Sequence, residues 1–312
     1  MRLARPARLA RPARLAAAAA LAGSVLAVSP APASAEPTVA HYSSQVVNDG
    51  ADVYYPSDAQ GELPVALLMQ GAQVHRMHYA AYARAVASYG FVVVVPNHKR
   101  LVFFDQDYYP SQKMPAEAIG WMDDENANSS SPLAGKIDTD TLVLLGHSFG
   151  GAAALGVAEE SCGIPFCTTL GYSLPSEVKA ASLFGTNNKS PLFGNSASMD
   201  NQIPVQLVQG TVDGVALPAD AETSYTKLEN GPKQIVRVAG ANHYGITNAQ
   251  NPAGADPDAS AQPISQAASI ATSARWAALF LKAQLGDAAA ADYVFSTGDA
   301  SDNGVTVTSQ TS

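Results

Sequence analysis

The strongest chemical signal in this chain of 312 residues is the segment G-H-S-F-G at residues 146–150. It follows the apolar run from Thr141 to Leu145 and precedes an alanine-rich stretch of helical composition. A G-x-S-x-G segment between a strand and a helix forms a tight turn that exposes the serine Oγ. Glycines are needed at both flanks because a side chain there would collide with neighbouring backbone. The sequence therefore predicts that Ser148 is a nucleophile.

A serine hydroxyl needs a base that takes its proton, and among the six histidines His243 is the predicted base. It follows the apolar run from Gln234 to Val238, in a polar loop where a side chain can swing over a sheet edge. The histidine in turn needs a carboxylate that fixes its tautomer. Asp213 is the predicted acid because it comes just after the apolar run from Pro204 to Val208, and parallel strands end at one common edge.

Two other aspartates lie near predicted elements and are alternatives to Asp213 as the acid. Asp200 is the alternative if the acid follows the preceding strand instead. Asp220 lies near a predicted helix start and is interpreted as a cap or a surface charge. The order Ser148, Asp213, His243 thus predicts nucleophilic acyl transfer through a covalent serine intermediate.

A parallel sheet is the element that brings these three residues to one edge. From Gln45 onward, short β-rich runs alternate with stretches of helical period, which predicts an α/β fold with a mostly parallel central sheet and helices on both faces. An antiparallel ribbon is expected at residues 45–55. Further strands are predicted at residues 64–69, 91–95, 141–145, 180–184, 204–210 and 234–238. Helices are predicted near residues 79–86, 115–125, 152–159 and 263–285.

The order of these motifs resembles the α/β-hydrolase superfamily from about Gln45 to Leu285. The segments Gly-His-Ser-Phe-Gly-Gly, Gly-Thr-Val-Asp-Gly and Asn-His-Tyr-Gly, with the loop that carries both cysteines, resemble secreted bacterial members of the chlorophyllase and dienelactone-hydrolase-like branch. That branch neighbours cutinases and platelet-activating-factor acetylhydrolases. A true dienelactone hydrolase would have a cysteine nucleophile, whereas this chain has Ser148.

The resemblance also implies where the oxyanion of the tetrahedral intermediate is bound. The donors would be the backbone N–H groups of Phe149, directly after the nucleophile, and of Ala72, in the loop after the strand at residues 64–69. Relatives usually have His-Gly in that loop, and this chain has Gln70 followed by Gly71. The second donor therefore stays open between Ala72 and Gln73.

The charge and the N-terminal segment indicate where the protein acts. With 18 basic and 27 acidic residues the net charge is -9, which argues against a nucleic-acid binder. Five arginines lead into an apolar run and then Ala33-Ser34-Ala35, a pattern typical of a secretory signal peptide over residues 1–35 and too short for a membrane span. We expect a secreted protein with a catalytic domain at residues 36–287 and a partly mobile tail at residues 288–312.

Cys162 and Cys167 are the only cysteines of the chain. Export would place them in an oxidising compartment, and the glycine and proline between them allow a turn that brings their Cα atoms into bonding range. The sequence predicts a disulfide, with two free thiols as the alternative. The spacing does not fit a metal site.

The sequence as a whole predicts a secreted serine hydrolase that cleaves carboxylic esters without a cofactor or metal, as a monomer. Apolar residues that flank the proposed site suggest an apolar acyl group and a small-molecule, lipid or polyester substrate. The predicted substrate-binding residues are Val74, Tyr79, Val215, Leu217 and Tyr244. Two alternatives remain: an amidase or peptidase that uses the same triad, and a non-catalytic binding protein on a hydrolase scaffold.

Overall fold

A computed structural model describes residues 38–102, 104–163, 165–167, 172–189, 194 and 196–312. The predicted signal peptide at residues 1–35 lies outside the described residues. The strands are β1 (Val39–Val46), β2 (Asp49–Pro56), β3 (Leu63–Met69), β4 (Val92–Pro96), β5 (Lys99–Val102), β6 (Asp105–Tyr108), β7 (Ile137–His147), β8 (Val178–Phe184), β9 (Val205–Gly210), β10 (Lys233–Val238) and β11 (Val305–Gln310). The helices are α1 (Ala80–Ala87), α2 (Met114–Ala127), α3 (Phe149–Ala158), α4 (Pro218–Lys227), α5 (Gln266–Gln284), α6 (Ala288–Asp292) and α7 (Gly298–Ser301).

One mixed sheet organises the described residues. Its nine strands follow the order β1-β2-β4-β3-β7-β8-β9-β10-β11. The six strands from β4 to β10 are parallel, whereas β1 pairs antiparallel with β2, β2 with β4, and β11 with β10. The fold class predicted from the sequence is confirmed, and the wholly apolar runs of β3, β4 and β7 occupy the middle of the sheet, where both faces are covered.

Side chains of the central strands alternate between two apolar cores. On β3, Leu67 packs in a core with Trp121 of α2 and with residues of α3, while Leu68 packs in a second core with residues of α1 and with Trp276 of α5. This alternation follows from the two-residue period of a strand. Helices therefore cover both faces of the sheet, and the sheet is a rigid platform for the loops at its carboxyl edge.

The C-terminal segment differs from the expected mobile tail after residue 287. It forms α6, a π-helical turn at Tyr293–Thr297, α7 and the edge strand β11. Asp302 ties this segment to α5 because its Oδ2 accepts hydrogen bonds from the indole N–H of Trp276 at 3.0 Å and from the guanidinium of Arg275. The Ala, Asp and Ser content resembles that of a linker, but Val305-Thr306-Val307-Thr308 carries the β-branched pattern of a strand. Among the described residues, no helix has both the length and the apolar character needed to cross a membrane.

Candidate active site

Ser148 lies in a strained turn between β7 and α3. Its φ of 52° and ψ of -118° fall where side chains are rarely tolerated, and its N–H is held by the carbonyl of Phe184 at 2.9 Å. A Cβ on Gly150 would lie 2.1 Å from the carbonyl oxygen of Met69, so only glycine fits at that position. The turn is thus fixed by its neighbours, and the serine hydroxyl projects from the end of the strand.

His243 reaches the serine from the loop after β10. Its Nε2 lies 2.9 Å from the Oγ of Ser148, and the residue is only 2% exposed. On its other side, the Nδ1 lies 2.9 Å from Oδ2 and 3.1 Å from Oδ1 of Asp213. Hydrogen bonds therefore run without a break from the hydroxyl through the imidazole to the carboxylate.

Asp213 is held in a turn after β9. Its Oδ1 accepts the backbone N–H groups of Val215 at 2.9 Å and Ala216 at 2.8 Å, and its Oδ2 accepts the side-chain amide of Gln209 at 3.2 Å. These donors fix the carboxylate toward the imidazole. The two other aspartates considered for this role lie in other contacts: Asp200 accepts from Asn230, and Asp220 forms an ion pair with Lys189.

The common position of the three side chains follows from the sheet. Strands β7, β9 and β10 are parallel and end at residues 147, 210 and 238. Ser148, Asp213 and His243 come one to five residues after these ends, so all three belong to the loops of the same edge. This is the edge at which open α/β sheets place their sites.

Two backbone N–H groups near Ser148, those of Phe149 and Ala72, have no hydrogen-bond partner among the described residues. Phe149 is the first residue of α3, and its N–H has no carbonyl one turn earlier in the helix. The N–H of Ala72 makes no hydrogen bond within the described part of the chain, whereas that of Gln73 donates to the carbonyl of Tyr108 at 2.8 Å. Ala72, Phe149 and Ser148 line the same cavity. Of the two residues left open by the sequence, Ala72 is thus the one with a free donor.

A buried hydrogen-bond chain links the loop after β3 to the histidine loop. The N–H of Gly71 donates to the hydroxyl of Tyr79 at 2.8 Å, and this hydroxyl lies 2.8 Å from the Nδ1 of His147. The Nε2 of His147 lies 2.9 Å from the carbonyl oxygen of His243. Because a carbonyl only accepts, the Nε2 must carry the proton and the Nδ1 must accept from Tyr79. Every polar atom of this chain is satisfied when His147 is neutral.

The burial of His147 keeps it neutral. Desolvation first, and then the nearby His243 ring, lower its pKa to about 3 against the opposing effect of the hydrogen bond to the His243 carbonyl. His147 is therefore neutral at neutral pH. Its position between Tyr79 and the His243 backbone gives it a structural connection to the site.

No sequence motif marks Asp258, yet it is a buried carboxylate beside the site. It is 3% exposed, and its Oδ2 accepts the N–H groups of both His243 and Gly214, at 3.0 and 3.1 Å. Its Oδ1 accepts the N–H of Ser260 at 2.7 Å. Burial raises the pKa of Asp258, but the three N–H donors outweigh it and hold the pKa below its ordinary value. The spacing of residues in the sequence does not predict the contact between Asp258 and His243, because this contact depends on how the loop after His243 folds back toward the site.

A cavity of about 500 Å³ opens beside Ser148. Ala152 and Leu155 of α3 line it, and so does Phe166. One predicted substrate-binding residue, Val215, lines this cavity, whereas Leu217 is exposed outside its lining.

Three predicted substrate contacts are corrected by the structure. Val74 and Tyr79 are at most 1% exposed and lie in the core, where the Tyr79 hydroxyl is used by Gly71 and His147. Tyr244 is 4% exposed and packs edge-on against the ring of His243 at 5.1 Å. These residues are close to the site in sequence, which suggested a substrate contact, but their side chains are buried beneath the site.

The predicted disulfide between Cys162 and Cys167 is present. It closes a short loop that carries Phe166, whose ring packs against Phe149 with centroids 4.6 Å apart. The carbonyl of Phe166 also accepts the N–H of Gln112 at 3.1 Å. The loop that the disulfide closes therefore forms one wall of the cavity next to the residue that follows Ser148.

One cluster of described residues, Asp49, His98 and Glu117, has the composition of a metal site. Both imidazole nitrogens of His98 already have partners: Nδ1 lies 2.6 Å from Asp49, and Nε2 lies 3.0 Å from the hydroxyl of Ser111. These contacts satisfy the histidine without an ion. We interpret the cluster as a connection between β2, α2 and the loop after β4.

The fold and the strained serine turn at its carboxyl edge define an α/β-hydrolase. Within this class the chain belongs to the PET hydrolase-like family, because its residues 22–256 match the sequence model described as "PETase: PET hydrolase-like". The match confirms the superfamily resemblance. Members of this family are carboxylic ester hydrolases of the serine hydrolase type, and the protein is an enzyme of that class. No curated protein matches the chain significantly.

Proposed function

We propose that this protein hydrolyses carboxylic esters through a covalent acyl-enzyme, with Ser148 as nucleophile, His243 as general base and Asp213 as the carboxylate that orients it. The observation that carries the proposal is the unbroken set of hydrogen bonds from the Ser148 hydroxyl through His243 to Asp213 at the mouth of a cavity. Polarised in this way, a serine hydroxyl becomes a nucleophile at neutral pH.

The first half of the reaction follows from these positions. The Oγ of Ser148 forms a bond to the ester carbonyl carbon while the Nε2 of His243 takes its proton. The N–H groups of Phe149 and Ala72 donate to the developing oxyanion, and each such donor contributes about 10²- to 10³-fold to the rate. The C–O bond to the alcohol then breaks, and His243 returns the proton to the leaving oxygen.

The second half repeats these steps with water. His243 takes a proton from a water molecule, whose oxygen attacks the acyl carbon, and Ser148 is released with its proton restored. Asp213 stays ionised and stabilises the imidazolium at both stages.

The cavity supports an ester with an apolar acyl group. Ala152, Leu155 and Phe166 line it together with Ser148, and the family description points to polyester substrates. We propose further that the protein is secreted after removal of residues 1–35 and acts as a monomer. The disulfide is compatible with an oxidising compartment.

A fluorophosphonate probe tests the nucleophile. We expect stoichiometric labelling of the wild type, no labelling of Ser148→Ala, and wild-type labelling of Ser176→Ala, whose serine is exposed in a turn before β8. Turnover of p-nitrophenyl esters should fall at least about 10⁴-fold in Ser148→Ala. Labelling that persists in that variant would contradict the proposal, and no labelling of the wild type would favour a binding protein.

A substrate series tests the specificity. Initial rates on p-nitrophenyl esters from acetate to palmitate, on a polyester film and on one matched amide should show that esters react faster than the amide. A faster amide would favour an amidase with the same triad.

A further inference from the structure

We propose that Asp258 is a positioning residue for His243: it joins the backbone of the base to the turn that carries the acid and places a second negative charge beside this histidine. This inference rests on the proposed function of Ser148, His243 and Asp213. It assigns a role in the reaction to a side chain outside the residues 22–256 that match the family.

One carboxylate oxygen makes both connections. The Oδ2 of Asp258 accepts the N–H of His243 at 3.0 Å and the N–H of Gly214, directly after Asp213, at 3.1 Å. The backbone of the base and the backbone of the acid turn are therefore bridged by a single atom. A displacement of Asp258 would change the distance between the imidazole and its carboxylate, which is the distance on which proton transfer depends.

The loop that delivers Asp258 is itself closed. The N–H of Asp258 donates to the Oδ1 of Asn251 at 2.8 Å, and its carbonyl accepts the Nδ2 of the same asparagine at 3.2 Å. Its second carboxylate oxygen accepts from Ser260 at 2.7 Å. Asn251 thus holds the backbone of Asp258, and three backbone N–H groups hold its carboxylate, so the carboxylate is preorganised.

The charge of Asp258 acts on the histidine when the histidine is protonated. The groups that face His243 are Asp213 from the turn after β9, Ser148 from the turn between β7 and α3, His147 from the end of β7 and the adjacent Tyr244. Of these, only Asp213 carries a charge, because His147 and Tyr244 are neutral at neutral pH. Asp258 adds a second buried anion, which favours the imidazolium that forms in the transition state.

The test is Asp258→Asn, with Asp256→Asn as a matched control. Asp256 lies in the same loop, two residues earlier, but its side chain is exposed, and solvent screens its charge. The asparagine at position 258 keeps one acceptor oxygen and loses the charge. We expect kcat/KM of Asp258→Asn on a p-nitrophenyl ester to fall about 10- to 100-fold, since hydrogen bonds to charged groups are the strong ones.

The pH profile separates positioning from a merely structural role. Loss of the anion disfavours the imidazolium, so the acidic limb of kcat/KM should move at least about 0.5 pH unit to lower pH in Asp258→Asn. In Asp256→Asn both the rate and the limb should match the wild type. An acidic limb that stays in place, or an unchanged kcat/KM, would overturn the proposal.

Two further readouts keep the result unambiguous. Circular dichroism checks that the variants fold. If Asp258→Asn does not fold, Asp258→Ser, which is also neutral but smaller, replaces it. If neither variant folds, Asp258 serves the fold alone and the inference is overturned. Fluorophosphonate labelling of the wild type is recorded in parallel. A wild type that neither reacts with the probe nor hydrolyses the ester refutes the proposed function, whereas an active wild type with an unaffected Asp258→Asn refutes only the role of Asp258.

Discussion

Replacing Tyr79 with phenylalanine tests the buried chain that joins the loop after β3 to the histidine loop. Tyr79→Phe keeps the ring, so no large cavity forms, but it leaves the N–H of Gly71 and the Nδ1 of His147 without a partner. Each unsatisfied buried group costs about 1 to 3 kcal/mol. Part of this cost is offset because the variant no longer has to bury the polar hydroxyl of Tyr79. We expect the free energy of unfolding to fall by about 2 to 4 kcal/mol.

The chain offers a matched control in Tyr82→Phe. Tyr82 is a buried tyrosine near Tyr79, and its hydroxyl makes no hydrogen bond within the described residues. Urea denaturation followed by circular dichroism should show a change of less than about 0.5 kcal/mol for this variant. Because Gly71 precedes Ala72, Tyr79→Phe should also lower kcat about tenfold through the proposed oxyanion donor. Equal stabilities of the two variants would refute the reasoning.

Two further predictions concern His147 and the disulfide. Desolvation and the nearby His243 ring lower the pKa of His147 to about 3. As the pH falls below the ordinary histidine value of roughly 6.5, the unfolded chain therefore binds a proton that the folded chain does not. Between about pH 6 and 4, the free energy of unfolding of the wild type, measured by urea denaturation, should therefore fall by up to about 1.4 kcal/mol per pH unit relative to that of His147→Gln. A difference between the two proteins that does not change with pH would contradict this prediction. Replacing Cys162 and Cys167 together by serine should lower the free energy of unfolding by about 2 kcal/mol, because the loop that the disulfide closes is short. The same variant should raise KM for a bulky aromatic ester more than for an acetate, because Phe166 forms a wall of the cavity. Equal KM changes for both esters would show that this wall does not depend on the disulfide.

The sequence was informative wherever one local rule decides the structure. The G-x-S-x-G segment requires a strand before it and a helix after it, and both are present. The positions of Asp213 and His243 relative to Ser148 follow from strands that end at one edge, and a strand is recognisable from its apolar run. These rules need no knowledge of the loops.

The contacts that sequence reasoning missed are those that depend on loop paths. Tyr79 lies only seven residues after Ala72, which suggested a substrate contact, but the 3-10 turn at Arg76–Tyr79 directs the side chain into the core under His147. Asp258 reaches His243 because the loop folds back on Asn251. A polar residue in a loop has no periodicity, and its partner is defined only by the assembled fold.

The edge strand β11 has a consequence for how the molecule is made. It pairs with β10 in register from Lys233↔Gln310 to Val238↔Val305, so strands about 70 residues apart in the chain must meet before the sheet is complete. A growing polypeptide cannot close this end of its sheet until residue 310 has emerged from the ribosome. Until then β10, which follows the acid turn and precedes the histidine loop, presents an open edge to other chains. The pairing of β11 thus covers the edge of the strand that precedes the proposed base.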